Sequence, residues 1–155
     1  AASLYPAKLG QQKGYQQLIW TDAKEHKYIE ESGTMNVMFV IGDAVVTPAL
    51  HDSILAGITR NSILTIARHW GMKVEERQIS VDEIIEAQKK GMLKEAFGVG
   101  TAATIAQIVS INFEEKDYPL PPVEKREFSP KVGKYLTEIR RGKTEDKFGW
   151  MMKVY

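Results

Sequence analysis

The sequence contains no cysteine, which removes disulfides, thiolate metal sites and a cysteine nucleophile in one step. It has no apolar run approaching the ~18 residues of a membrane span, and its first residues lack the basic-then-apolar layout of a secretory signal. Neither sign of charge dominates: 21 Lys and Arg stand against 20 Asp and Glu, a formal net charge of +1. Such a balance gives no general affinity for nucleic acid, an acidic lipid surface or a polyanionic substrate, so any anion site must be local. Internal repeats and low-complexity tracts are also missing. A cytoplasmic location is the default expectation. The chain starts on Ala1, not Met, inside a segment that reads as structured, which is compatible with a trimmed start or with a fragment.

What is present is an ordinary globular composition. The 155 residues, 43% hydrophobic and 26% charged, suffice for one domain with a proper core. Ala1 to Lys13 reads as a helix closed by Gly14, with Pro6 suited to its first turn or to a kink. Gln16 to Trp20 and Lys27 to Glu31 are strand candidates that pair across a polar turn. Asn36 to Ile41 is a near-continuous apolar run, as expected of a strand covered on both faces, and Gly42-Asp43 turns it back into Ala44 to Val46. Thr59 is placed to cap a helix that carries Ile63, Ile66, Ala67 and Trp70 at helical spacing and stops at Gly71. Lys73 to Ile79 reads as a strand, and Ser80 with Glu83 makes a capping box for the next helix, which carries Val81, Ile84 and Ile85. Thr104 to Phe113 is β-rich, and Asp117 to Val123 is proline-dense enough to predict a loop. Ser129-Pro130 starts a last helix with Val132, Tyr135, Leu136 and Ile139 on one face. The mixture predicts a single α/β or α+β domain.

Three segments have the residue types that bind small anionic ligands. In Leu55-Ala56-Gly57-Ile58-Thr59-Arg60 a glycine allows close backbone approach, and the helix start that follows leaves N–H groups that favour an anion. In Gly98-Val99-Gly100-Thr101-Ala102-Ala103, between a short β-like stretch and a longer one, small residues allow a tight turn whose amides and Thr101 hydroxyl suit a phosphate or carboxylate. In Glu31-Ser32-Gly33-Thr34-Met35-Asn36 an acid precedes a turn into a buried strand, where a carboxylate can keep a heterocyclic nitrogen protonated. Each has an ordinary explanation too: a capped loop-to-helix junction, a packed glycine turn, and a solvated strand-end glutamate. His26, His51 and His69 show no metal-ligand spacing, and Lys89-Lys90 and Arg140-Arg141 fall where they suit helix C-termini.

The three segments occur together, in this order, in the fold-type IV pyridoxal phosphate enzymes, and the whole chain resembles branched-chain amino acid aminotransferases. The ending Glu127 to Met151 (EFSPKVGKYLTEIRRGKTEDKFGWM) is similar to that family's last helix and closing segment. The resemblance implies a fold-type IV, D-amino acid aminotransferase-like cofactor-binding domain over residues 1–155. It implies that Glu31 pairs with the pyridine nitrogen of pyridoxal phosphate and that Leu55 packs on the ring. Ile58 and Thr59 would hold the phosphate from the helix start, with Thr101 contacting it as well. The Thr101-Ala102 turn would bind the substrate carboxylate, while Thr34 and Met35 would line a pocket for a branched side chain. The implied reaction moves the amino group of leucine, isoleucine or valine to 2-oxoglutarate, and the implied assembly is a homodimer without nucleic acid, membrane or metal. One element of the family pattern is not matched. The Schiff-base lysine, followed there by Gly-Asn-Tyr, is expected just upstream of Ala1; Lys8 and Lys13 lie too late in the helix to replace it. This chain alone is therefore expected to be inactive and to need the N-terminal domain. Alternatives are a D-amino acid aminotransferase, an aminodeoxychorismate lyase, or a truncated module without catalysis.

Overall fold

A computed structural model describes residues 2–154. Its organising element is the apolar run, which forms a strand over Met35–Ile41. In chain order the elements are α1 (Leu4–Gln12), β1 (Ile19–Thr21), β2 (Ile29–Ser32), β3 (Met35–Ile41), β4 (Ala44–Thr47), α2 (Ile58–His69), β5 (Lys73–Glu76), α3 (Val81–Lys89), β6 (Leu93–Gly100), β7 (Thr104–Gln107), β8 (Ser110–Phe113), β9 (Lys116–Pro119) and α4 (Phe128–Arg140). Strands β1 to β7 make one seven-stranded sheet, and β8 and β9 make a separate antiparallel hairpin.

Along one edge β3 pairs with β6 from Asn36 to Ile41. Along the other it changes partner, pairing with β2 at Met35 and Asn36 and with β4 from Phe39 to Ile41. The Val37 carbonyl falls in the gap between these partners, where the Thr47 hydroxyl donates to it at 2.8 Å. A buried carbonyl left there without a donor would cost ~1–3 kcal/mol, so Thr47 seals the junction. From Thr47 the chain leaves the sheet, forms α2 and returns as β5, which is parallel to β4.

Both faces of β3 are buried, as its composition predicts, because side chains alternate between two apolar layers. Met38 and Val40, with Phe97 of β6, meet α2 and α4 through Ile63, Leu64 and Val132. Val37 and Phe39, with Ala96 of β6, meet α3 and the β8–β9 side through Ile84 and Leu120. The mixed α/β class agrees with the expectation. In contrast, α1 buries no residue: Leu4 is 71% exposed, Tyr5 69% and Leu9 43%. The predicted start of that helix at Ala1 lies outside the described residues. Among the described residues no helix is long and apolar enough to cross a membrane.

Several local expectations are corrected. Thr59 is not a cap: α2 begins at Ile58 with Gly57 as its N-cap in extended backbone, and Asn61 N–H already closes on the Gly57 carbonyl at 3.0 Å. The Ser80 hydroxyl accepts from Glu83 N–H at 3.1 Å. The return half of the capping box is absent, because the Glu83 carboxylate is taken by Arg77 at 2.6 and 3.0 Å. Strand β5 ends at Glu76, since the chain then crosses to β2, where the Ile79 carbonyl accepts from Ile29 N–H at 2.8 Å. The strand before the GVGTAA turn is the long one, eight residues, and the one after it has four. Lys116–Pro119 is a strand, not a loop, because β8 supplies its partner. The last helix begins at Phe128, ahead of Ser129 and Pro130, and the reason is tertiary. The Glu95 carboxylate of β6 accepts from the N–H groups of Glu127 (2.9 Å), Phe128 (2.7 Å) and Ser129 (2.8 Å), while Pro130 has no N–H to satisfy. Arg126 lies beside this cap, donating to the carbonyls of Pro121, Ala96 and Ile108 and to Gln107. Burial lowers its pKa from the ordinary guanidinium value, and the charge of Glu95 opposes that shift.

Candidate functional site

The fold brings the three small-residue segments to one end of β3. Glu31 leaves β2 directly opposite Asn36 of β3. Its Oε1 accepts from Leu55 N–H at 3.1 Å and from Asn36 Nδ2 at 3.3 Å, and Asn36 Nδ2 also donates to the Leu55 carbonyl at 2.8 Å. Residues 31, 36 and 55 thus form a closed polar ring joining the first segment to the second. Among the described residues Oε2 of Glu31 accepts no hydrogen bond, so one carboxylate oxygen is oriented by the protein and the other is left available.

Two residues after Leu55, Gly57 makes a close approach to the Asn36 side chain. A β-carbon there would lie 2.2 Å from Asn36 Oδ1. The helix end it caps is bare: there is no side-chain cap and no acid in the first turn. The N–H groups of Ile58, Thr59 and Arg60 meet no acceptor among the described residues. Ile58 is 85% exposed and Leu55 73%, while Thr59 is half-buried. Free amides and the positive end of the helix dipole together favour an anion. Arg60 does not reach it. Its buried guanidinium turns inward to the Pro48 carbonyl and to Glu76, both at 2.9 Å, and fixes the helix start from behind.

The third segment arrives through strand pairing. Asn36 pairs with Val99, so Met35 lies over the end of β6. The Met35 side chain fills the space that side chains on Gly98 and Gly100 would need, with contacts of 2.8 and 3.3 Å to their notional β-carbons. The Gly33-Thr34 and Thr101-Ala102 turns consequently sit at the same end of adjacent strands. Thr34, Thr101 and Ala102 are exposed and Met35 is half-buried. Thr104, closing the second turn, has a left-handed backbone (φ 53°) unusual for a β-branched residue. Arg140 of α4 donates to its hydroxyl at 2.7 Å.

Sequence reasoning placed Glu31, Leu55, Thr34, Met35, Thr101 and the α2 start within their motifs, and the structure gathers them. It included Asn36 in the Glu31 to Asn36 segment but gave it no role there, and it missed the buried role of Arg60. A polar residue heading an apolar strand was the available signal for Asn36. Of the histidines, His69 packs edge-on against Phe148 at 5.4 Å, His26 occupies a left-handed turn position, and His51 contacts Ser53.

The donor set fits a phosphorylated pyridine cofactor: free helix-start amides suit a phosphate, and the free oxygen of an oriented carboxylate suits a ring nitrogen. Comparison with known proteins points the same way. Residues 2–111 match the family model for class IV amino-transferases. The chain is 43% identical to "Branched-chain-amino-acid aminotransferase 2" of Bacillus subtilis over 154 residues, covering 99% of this chain and 42% of that protein. It superposes on a crystal structure of a branched-chain aminotransferase from the archaeon Thermoproteus uzoniensis with norvaline, with a TM-score of 0.77 and 29% identity, covering 99% of this chain and 46% of that one. An aminotransferase from Brucella abortus bound to PLP superposes with a TM-score of 0.71 and 25% identity, covering 91% of this chain and 47% of that one. The chain spans less than half the length of these relatives. With the matched family model covering both the polar ring and the bare helix end, the chain belongs to the class IV aminotransferases.

Proposed function

We propose that this chain is the cofactor-binding part of a pyridoxal phosphate-dependent branched-chain amino acid aminotransferase, which moves the amino group of leucine, isoleucine or valine to 2-oxoglutarate. The observation that carries the reading is the ring of Glu31, Asn36 and Leu55 beside the uncapped start of α2.

When bound, pyridoxal phosphate supplies an electron sink for bond cleavage at an amino acid's α-carbon. The residues of this chain bind and orient. The free Oε2 of Glu31 holds a proton on the pyridine nitrogen, and Asn36 and Leu55 N–H fix the carboxylate that does so. The amides of Ile58 and Thr59, with the Thr59 hydroxyl, take the phosphate, and Thr101 adds a contact. Leu55 covers a face of the ring and excludes water from it. The Thr101-Ala102 turn takes the substrate carboxylate, and Thr34 and Met35 border the branched side chain. The lysine that anchors the cofactor and moves the proton at the α-carbon is assigned to the part of the longer relatives that this chain does not cover. That part is also the natural cover for the exposed face of α1. Residues 1–155 alone are then inactive, and the full-length protein works as a homodimer in the cytoplasm.

The test is Glu31→Gln in the full-length protein. Cofactor should remain bound, while single-turnover conversion by leucine slows on the order of a hundredfold, the equivalent of ~2–4 kcal/mol of lost electrostatic stabilisation. Near-normal conversion would overturn the role of Glu31.

A further inference from the structure

The loop between β4 and α2 is tied to β2 by two consecutive glutamates. Glu31 holds Leu55, and Glu30 holds the segment two residues earlier: its Oε1 accepts from the Ser53 hydroxyl at 2.6 Å. His51 completes a second cluster, with Nδ1 3.2 Å from Ser53 Oγ and Nε2 3.7 Å from Glu30 Oε1. The Glu30 side chain is only 15% exposed, against 49% for His51. Successive side chains of a strand emerge on opposite faces, so the two glutamates hold the loop from two directions.

A serine beside a histidine and a carboxylate invites comparison with a nucleophilic triad, but the proton count runs the other way. The hydroxyl has one proton and gives it to Glu30, which leaves Ser53 Oγ as an acceptor for Nδ1–H of His51. The histidine is therefore not a base for the serine. The cluster is mechanical. Within 50–54 the backbone contributes one bond, Ile54 N–H to the His51 carbonyl at 3.0 Å, and only Ile54 is buried. Beyond it, Leu55 is fixed through Glu31 and α2 through Arg60. The stretch between these anchors depends on side chains for its position.

We propose that Glu30, Ser53 and His51 are positioning residues that hold the 51–57 segment at the level where Leu55 and the Ile58 and Thr59 amides meet the cofactor. The inference rests on the functional reading above. It adds three residues that touch neither cofactor nor substrate, and it predicts that losing the latch loosens the site without unfolding the domain.

The experiment compares wild-type full-length protein with Ser53→Ala, Ser53→Thr and Glu30→Gln. Three quantities are measured: pyridoxal phosphate dissociation, amide hydrogen exchange over residues 48–60 without cofactor, and the urea midpoint. Ser53→Ala should weaken cofactor binding about fivefold to tenfold, the usual yield of one charge-assisted hydrogen bond. It should also speed exchange in residues 51–57 and leave the urea midpoint unchanged. Ser53→Thr, which keeps the hydroxyl, should behave as wild type. Wild-type binding and exchange in Ser53→Ala would overturn the proposal. So would a fall in urea midpoint that accounts for the weaker binding and is not rescued by threonine. Should Ser53→Ala fail to fold, Glu30→Gln decides by the same readouts. If the wild-type protein binds no pyridoxal phosphate, the functional reading fails, while the exchange comparison still decides whether the latch exists.

Discussion

Helices α2 and α4 pack side by side against the same face of the sheet, yet their N-termini are finished in opposite ways. At α4, one buried carboxylate from β6 satisfies three amides, and a proline removes the next donor. At α2, the cap is a glycine, and the first amides find no acceptor among the described residues. The same backbone need is met internally in one case and left open in the other. Where a carboxylate is built in, the helix end is a structural joint. Where acids are excluded and a glycine admits a neighbour, the end is prepared for an anion from outside.

The sharpest way to break this contrast is to open α4. Glu95→Ala should leave three donors unpaired, those of Phe128 and Ser129 buried and that of Glu127 partly so, and destabilise the domain by about 3 kcal/mol or more. Urea denaturation measures it, and a cost below ~1 kcal/mol would show that water replaces the carboxylate. Gly57→Ala attacks the open end through packing. Its β-carbon would meet Asn36 Oδ1 at 2.2 Å, so the ring holding Glu31 must shift, at a cost of about 1–3 kcal/mol together with weaker cofactor binding in the full-length protein.

A third change makes α2 resemble α4. Ile58→Asp places an acid in the first turn of α2 at an exposed position, and should raise stability slightly, by ~0.3–1 kcal/mol. It should cut pyridoxal phosphate affinity at least about tenfold, because it occupies and neutralises the anion site. Equilibrium binding in the full-length protein distinguishes this from a neutral outcome. The smallest effect belongs to a half-buried analogue of the Glu95 cap. Asp22 accepts from the amides of Tyr28, Glu25 and Lys27 at 2.6–2.8 Å. Those bonds, that from Tyr28 foremost, lower its pKa from 3.8 to about 2. A depressed carboxyl pKa stabilises above the unfolded value and loses that contribution as pH falls toward 2. Acidification over that window, or Asp22→Ala at neutral pH, should loosen only the 22–28 turn. Faster exchange of the Lys27 and Tyr28 amides with an unchanged core would show it.

Much of this was legible before any coordinates. The run Asn36 to Ile41 specified a doubly covered strand because every position after Asn36 is apolar enough for either layer, and α2 and α3 followed from 3.6-residue stripes. The three binding segments were visible because glycine and small hydroxyl residues serve few purposes in such turns. The misses share a cause. Thr59, the return arm from Glu83, the end of β5, the β9 strand and the start of α4 all depended on a partner outside their own element: Asn36, Arg77, β2, β8 and Glu95.

The sequence by itself determined the mixed α/β class, the buried central strand and the order of the anion-suited segments, since these follow from local periodicity and residue type. Only the tertiary structure decided that β3 changes partner beside Asn36, so that Glu31 and Leu55 share one hydrogen-bonded ring. It also decided which helix start stays open, because a carboxylate at residue 95 reaches the first amides of α4 and, among the described residues, none reaches those of α2. Hydrogen-bond partners some 30 residues apart leave no periodic trace in a chain; only the fold brings them within 3 Å.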